Sequence, residues 1–286
     1  MDPGGRGADH RLDVDGRLSV GKLTAARARL SDIQLRLMAK DGQLRLHPAS
    51  AALYGGSYRG DLRLDARGAT PRLALDASLA DVQAGPLLKD VLGKEALLGN
   101  ANAHATLTAQ GSESSALLNT LNGKARVNVD HGALKGINLG QLLREAYAKL
   151  KHLPPPPKST EQTDFAVLSA SATIAKGVVR NRDLTADAPA LHLAGEGTVD
   201  LPQRRIDYRL TATLLKDLAG QHPDEGAVLK GLPVPIRITG GFDKPEVALD
   251  LKPLLAAKAK QALKQEVKKK RHKAEKKLRE KLKGLF

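Results

Sequence analysis

Cysteine and tryptophan are absent from this chain, and all aromatic residues together make up only 2% of it. Without cysteine there can be no disulfide and no thiolate metal ligand. That leaves the compartment open, because an oxidising periplasm holds a cysteine-free chain as well as a cytosol does. Large cores usually lean on Phe, Tyr and Trp, so Leu, Ala and Val must fill this one, or it is less completely closed. No apolar run approaches the roughly 18–20 residues that cross a bilayer. The opening "MDPGGRGADHR" lacks the basic and apolar regions of a signal peptide. The expectation is a chain with neither a leader nor a membrane anchor of its own.

Catalytic motifs are missing as well. The eight histidines are scattered and form no HxxxH or HExxH pair, which disfavours zinc. Asp130-His131 are neighbours whose side chains point apart on a strand, so they are expected to be a surface pair. Gly226 and Gly231 have P-loop spacing, but Leu232 stands where that loop needs Lys. "GEG" at 195–197 lacks a dinucleotide site's third glycine, and there is no GxSxG elbow. Asp13, Asp15 and Asp200 fall on the wet phase of strands. The expectation is no enzyme, no metal and no cofactor.

What is present is alternation. In "RLDVDGRLSV", Leu12, Val14 and Leu18 are apolar while Arg11, Asp13, Asp15 and Arg17 are charged. The same period of two places Ile33, Leu35 and Leu37 on one phase, followed by Leu44 and Leu46, Leu62 and Leu64, and Leu73, Leu75 and Leu79. Further along it recurs at Val127 and Val129, at Ile206, Tyr208, Leu210 and Leu214, at Val234, Ile236 and Ile238, and at Val247, Leu249 and Leu251. Such segments are antiparallel strands with one apolar and one wet face, and glycines at 42, 55–56, 132, 136, 177 and 240–241 punctuate them.

Helices are few. Short ones are expected at Ala84–Gly93 and Glu113–Asn122. A better one runs over Leu139, Leu142, Leu143, Ala146, Tyr147 and Leu150, capped by Asn138. "HLPPPPKST" at 152–160 reads as a stiff linker. From Lys252 to Phe286 there are 14 Lys/Arg against three Asp/Glu, so this tail carries +11 of the chain's net +15. It reads as a long basic amphipathic helix from Pro253, with a thin apolar stripe. The domain expectation is a flexible N-terminus at 1–15, a β-rich body at 16–252 containing the linker, and the basic helix at 253–286.

The tail's bland explanation is a solvated helix docked by its stripe. The functional one is an anionic membrane surface met by Lys264, Lys268, Lys269, Lys270, Arg271, Lys276 and Lys277. Nucleic acid is disfavoured, because the tail has no interleaved aromatics and the body is nearly neutral. Many one-sided strands with few helices to cover them must either close as a sandwich or leave a groove. Composition alone favours the sandwich.

"LNGKARVNVDHGALKGINLGQLLREA" resembles the C-terminal region of the AsmA family of bacterial envelope proteins, a glycine-punctuated strand and turn followed by a helix. "LRLHPASAALYGGSYRGDLRLDA" is similar to the family's strand, LYGG, strand hairpin. "TDFAVLSASATIAKGVVRNRDL", "GEGTVDLPQRRIDYRL" and "LPVPIRITGGFDKPEVALDL" follow in the family's order, so the similarity runs from about Gly16 to Phe286. The resemblance implies a mainly β fold: a long twisted antiparallel sheet forming a groove or half-open sandwich. It also implies a body on the periplasmic side of the inner membrane, with the anchor outside this sequence, which starts inside the family's C-terminal region. Larger relatives conduct phospholipid along β-grooves and smaller ones are linked to outer-membrane assembly. No catalytic residue is carried over.

The candidate groove face for phospholipid or another acyl lipid is therefore Leu35, Leu37, Leu44, Leu46, Leu62, Leu64, Leu73, Leu75, Val127, Val129, Ile206, Leu210, Ile236 and Ile238. The rival expectations are an assembly factor that binds envelope proteins through a sheet edge, and a plain β-sandwich with a membrane-surface tail.

Overall fold

The computed structural model describes residues 13–216, 231, 233–250 and 267. The strands follow one another as a meander: β1 (Val14–Ala25), β2 (Ala28–Lys40), β3 (Gln43–Leu53), β4 (Gly56–Asp65) and β5 (Arg72–Gln83). Helix α1 (Ala84–Leu92), β6 (Leu97–Gln110), α2 (Ser114–Asn119), β7 (Asn122–Lys135) and α3 (Leu139–Lys151) come next. The chain ends its described part with β8 (Gln162–Ala175), β9 (Val178–Asp187), β10 (Leu191–Asp200), β11 (Arg205–Leu214), β12 (Pro233–Gly241) and β13 (Lys244–Leu249). All 13 strands lie in one sheet in the order of the sequence, each antiparallel to the next. The sheet does not close: among the described residues β1 and β13 pair only with β2 and β12. The sandwich that composition favoured is thus overturned. A meander keeps every strand beside its sequence neighbour, and because its two outer strands do not pair with each other among the described residues it forms one open sheet.

The expected elements correspond closely. β1 begins at Val14, just inside the segment read as a flexible N-terminus. The helix expected after Asn138 is α3, whose first turn is capped when the Asn138 Oδ1 accepts from Gln141 N at 2.8 Å. Leu139, Leu143 and Tyr147, four residues apart, form its buried stripe. Thr163 of β8 pins the entry to this helix: its Oγ1 accepts from Leu139 N at 2.9 Å and donates to the Ile137 carbonyl at 2.7 Å. The basic helix expected at 253–286 lies outside the described residues, Val267 excepted.

Register carries the alternation across the whole sheet. Leu37, Leu46, Leu62, Leu75 and Leu107 are direct cross-strand partners from β2 to β6. The same rung continues through Gly123, Ile174, Val179, Val199 and Ile206 to β11. Residues in one rung share a face, so the apolar phases of separate strands join into one continuous apolar surface.

Bulges bend that surface. The register shifts at Asp32-Ile33 in β2, at His47-Pro48 in β3, at Ala80-Asp81 in β5, at His131 in β7 and within Arg182–Asp183 in β9. A bulge leaves one residue unpaired, kinks its strand and increases the local twist. Recurring in β2, β3, β5, β7 and β9, these bulges coil the sheet, so its apolar face becomes a trough. The β9 bulge is braced by Asp183, which accepts from Ser171 N at 2.9 Å and from Ser171 Oγ at 2.5 Å. These hydrogen bonds hold its carboxyl below the ordinary carboxylate range.

Candidate functional site

The trough has small residues along its floor. From β4 to β8 one rung reads Gly60, Ala77, Ala105, Ala125 and Ala172. The leucine-rich rung flanks it on one side. Leu79, Ala103, Val127 and Ala170 flank it on the other. Side chains that stop at Cβ leave space above the sheet. A cavity of about 430 Å³ opens over β6–β12, lined almost wholly by carbon, with Val127, Leu184, Val199, Ile206 and Leu210 among its walls. Small-molecule sites occupy roughly 300–1,000 Å³ and are mostly apolar, so this volume can hold a hydrocarbon chain.

One polar contact interrupts the apolar floor. Beyond Ala172 the rung continues as Asn181, Gly197 and Tyr208. The Tyr208 hydroxyl donates to Asn181 Oδ1, while its ring occupies the slot left by glycine, since a Cβ on Gly197 would lie 2.5 Å from that ring. Burial, together with the Asp183 and Glu196 carboxylates, pushes the phenol up to about 12. At neutral pH it is a neutral donor already satisfied by Asn181. It orients the wall and offers no nucleophile or base.

The expected groove residues all fall on this one face, but they divide into two groups. Leu35, Leu37, Leu44, Leu46, Leu62, Leu64, Leu73 and Leu75 are half-buried on β2–β5, while Ile33, Ala51, Leu53 and Val82 of the same strands are buried where α1 packs against β2 and β5. Val127, Ile206, Leu210 and Ile238 line the cavity. Val129 and Ile236 are fully buried in the core cluster that contains Leu139, Leu143 and Tyr147 of α3. These two are core, out of a ligand's reach, because α3 covers the part of the face where they sit. The membrane-contact candidates Lys264, Lys268, Lys269, Lys270, Arg271, Lys276 and Lys277 lie outside the described residues.

The alanines of the floor and the Tyr208–Asn181 pair escaped the sequence reading. The signal for the alanines was there in β6, where Ala101, Ala103, Ala105, Leu107 and Ala109 alternate with Asn, His and Thr. Alanine contrasts weakly with such neighbours and is a poor strand former, so the period of two is faint. Asn181 meets Tyr208 only because two strands and a bulge bring them together.

Among the described residues no group of His, Cys, Asp and Glu is arranged to hold a metal, and no helix is long and apolar enough to cross a membrane. The face opposite the trough is polar and laced with ion pairs. Asp61 sits between two arginines, accepting from Arg45 Nη2 at 2.6 Å and from Arg63 Nη2 at 2.9 Å. Those guanidiniums hold its carboxyl far below the usual carboxylate range.

The family model described as "AsmA family" matches residues 3–184. Protein AsmA of Escherichia coli (strain K12) is 24% identical over 231 residues, covering 79% of this chain and 36% of that protein. AsmA family protein YhjG of the same organism is 22% identical over 234 residues, covering 79% of this chain and 31% of that protein. The chain thus spans about a third of the length of these curated relatives. No solved structure matches it. A family model that covers most of the chain, set beside the glycine-punctuated blocks that build the open sheet, identifies this chain as a member of the AsmA family.

Proposed function

We propose that this protein is a non-enzymatic lipid-binding module of the bacterial envelope, whose trough holds the acyl chains of phospholipid or a related lipid and passes them along the sheet. The supporting observation is the continuous apolar face left partly uncovered, with its alanine floor and 430 Å³ cavity. Membership of the AsmA family supports a role in envelope biogenesis, and action on the periplasmic side of the inner membrane is part of the proposal. Direct transfer between membranes is the finer part of the proposal. The basic tail, Lys264, Lys268–Lys270, Arg271, Lys276 and Lys277 included, is proposed to meet anionic headgroups, each charge contributing on the order of 1 kcal/mol near the surface. Deleting residues 252–286 should then abolish binding to anionic vesicles.

The test is lipid extraction. The chain is purified from membranes under mild conditions and its bound lipid is identified by mass spectrometry, beside a Leu64→Asp form. Phospholipid retained by the natural protein and lost from a folded Leu64→Asp protein supports the trough as a carrier. Protein that melts cooperatively, carries no lipid and takes none up when mixed with phospholipid would sink the proposal. One observation favours a second reading, an assembly factor for outer-membrane proteins: β1 and β13 each expose an edge with no strand partner among the described residues. A stable protein partner crosslinked to either edge, in preparations free of lipid, would put that alternative ahead.

A further inference from the structure

On the polar face arginines stand directly opposite each other at Arg17–Arg36, where Asp15 accepts both hydrogen bonds of Arg36, and at two further places that are resolved differently from one another. Arg45 is the cross-strand partner of Arg63, and Arg209 is the partner of Arg237. Like charges placed so are destabilising unless something lies between them. At the Arg45–Arg63 pair the protein supplies its own anion, since Asp61 takes a hydrogen bond from each guanidinium. At the Arg209–Arg237 pair no carboxylate joins the two. Arg237 turns to Asp207 at 3.2 Å and Arg209 reaches Glu196 only at 3.9 Å.

Between them lies a depression of about 450 Å³ whose wall also includes Arg180 and Arg182. Arg180 and Arg182 form no ion pair with any described residue. The depression therefore gathers four guanidiniums against two carboxylates, Glu196 and Asp207, with Thr198 on its floor. The period of two explains the crowding: Arg180 and Arg182 lie two residues apart on β9 and so share the polar face.

We propose that this depression is a binding site for a phosphate-bearing anion, which stands to Arg209 and Arg237 as Asp61 stands to Arg45 and Arg63. Guanidinium forks match the oxygens of a phosphate and bind it through paired charge-assisted hydrogen bonds. The site faces away from the apolar trough. Its phosphate is therefore not the headgroup of a lipid held there, and the two proposals stand or fall separately. The shared chemistry is a phosphomonoester, from a soluble phosphate ester or from a membrane headgroup.

The experiment is an amide NMR titration of the full chain with glucose 6-phosphate, and in parallel with nanodiscs of zwitterionic lipid containing phosphatidic acid. The expected result is saturable shifts at Gly197, Thr198 and Arg209. An Arg180→Gln/Arg182→Gln form should bind about tenfold or more weakly, the scale of losing charge-assisted hydrogen bonds. Glu196→Gln, which removes a competing carboxylate, should bind several-fold more tightly, and Arg45→Gln should bind as the natural protein does. Saturation by glucose 6-phosphate names a soluble source, and saturation by the nanodiscs alone names a membrane one. Shifts confined to residues 251–286, or affinity unchanged in the Arg180→Gln/Arg182→Gln form, or unchanged by Glu196→Gln, overturn the site.

Discussion

The two ends of the apolar face differ in what lies over them, though their strands follow the same rule. On β2–β5 the eight leucines from Leu35 to Leu46 and from Leu62 to Leu75 occupy alternate positions and remain half-buried. On β10–β12 Leu193, Leu210, Ala212, Val234 and Ile236 occupy the same phase and are buried. The difference comes from α3. Its Leu139, Leu143 and Tyr147 enter the core cluster with those strands, and each fully buried leucine contributes roughly 1.5–3 kcal/mol relative to exposure. A strand's pattern states which face is apolar. Whether that face becomes core or binding surface depends on a helix supplied from elsewhere in the chain.

The largest effect is expected where the cover meets the core. Leu143→Ala should cost about 2–5 kcal/mol, the range for emptying a fully buried leucine site, measured by urea unfolding. A loss under about 1 kcal/mol would mean that α3 rests loosely on the sheet and that the two ends are alike. Next comes a matched pair. Val129→Asp places a carboxylate in a site with no exposure and should prevent stable folding. Leu64→Asp, on the half-exposed end, should leave a cooperative melt within roughly 1–2 kcal/mol of the natural protein. Equal damage from both would erase the distinction between core and trough.

Smaller effects sharpen the picture. Asp61→Asn leaves Arg45 and Arg63 opposed and should cost about 1–2 kcal/mol at neutral pH. The Asp61 carboxyl titrates lower in the folded protein than in the unfolded chain. Its contribution is therefore complete above an unfolded carboxylate's pKa near 3.8 and is lost as pH falls through the lower folded value. The difference between natural and variant stability should accordingly be flat above about pH 5 and shrink only in acid. Asn138→Ala removes the α3 cap and should cost about 1 kcal/mol, seen as faster amide exchange at Gln141 while the β2–β5 amides keep their rates.

Much of this was legible before any coordinates. The period of two named most of the strands, and Asn138 with the spaced leucines after it placed α3. What stayed illegible depends on long-range geometry. β6 hid behind alanines, whose short side chains matter only once a trough exists for them to floor. Val129 and Ile236 read the same as Leu64 because alternation encodes a face and carries no information about cover. Arg180 and Arg182 meet Arg209 and Arg237 at the anion site only because β9 to β12 pair side by side, which no local pattern reveals.

The sequence by itself determined that this is an antiparallel sheet with one apolar face, because side chains alternate along every strand whatever the strand's neighbours. Tertiary structure alone decided that the sheet stays open and curls, and that α3 closes one end of the face and leaves the other. Register, bulges and helix docking join residues far apart in the chain, and no local pattern records which of them will meet.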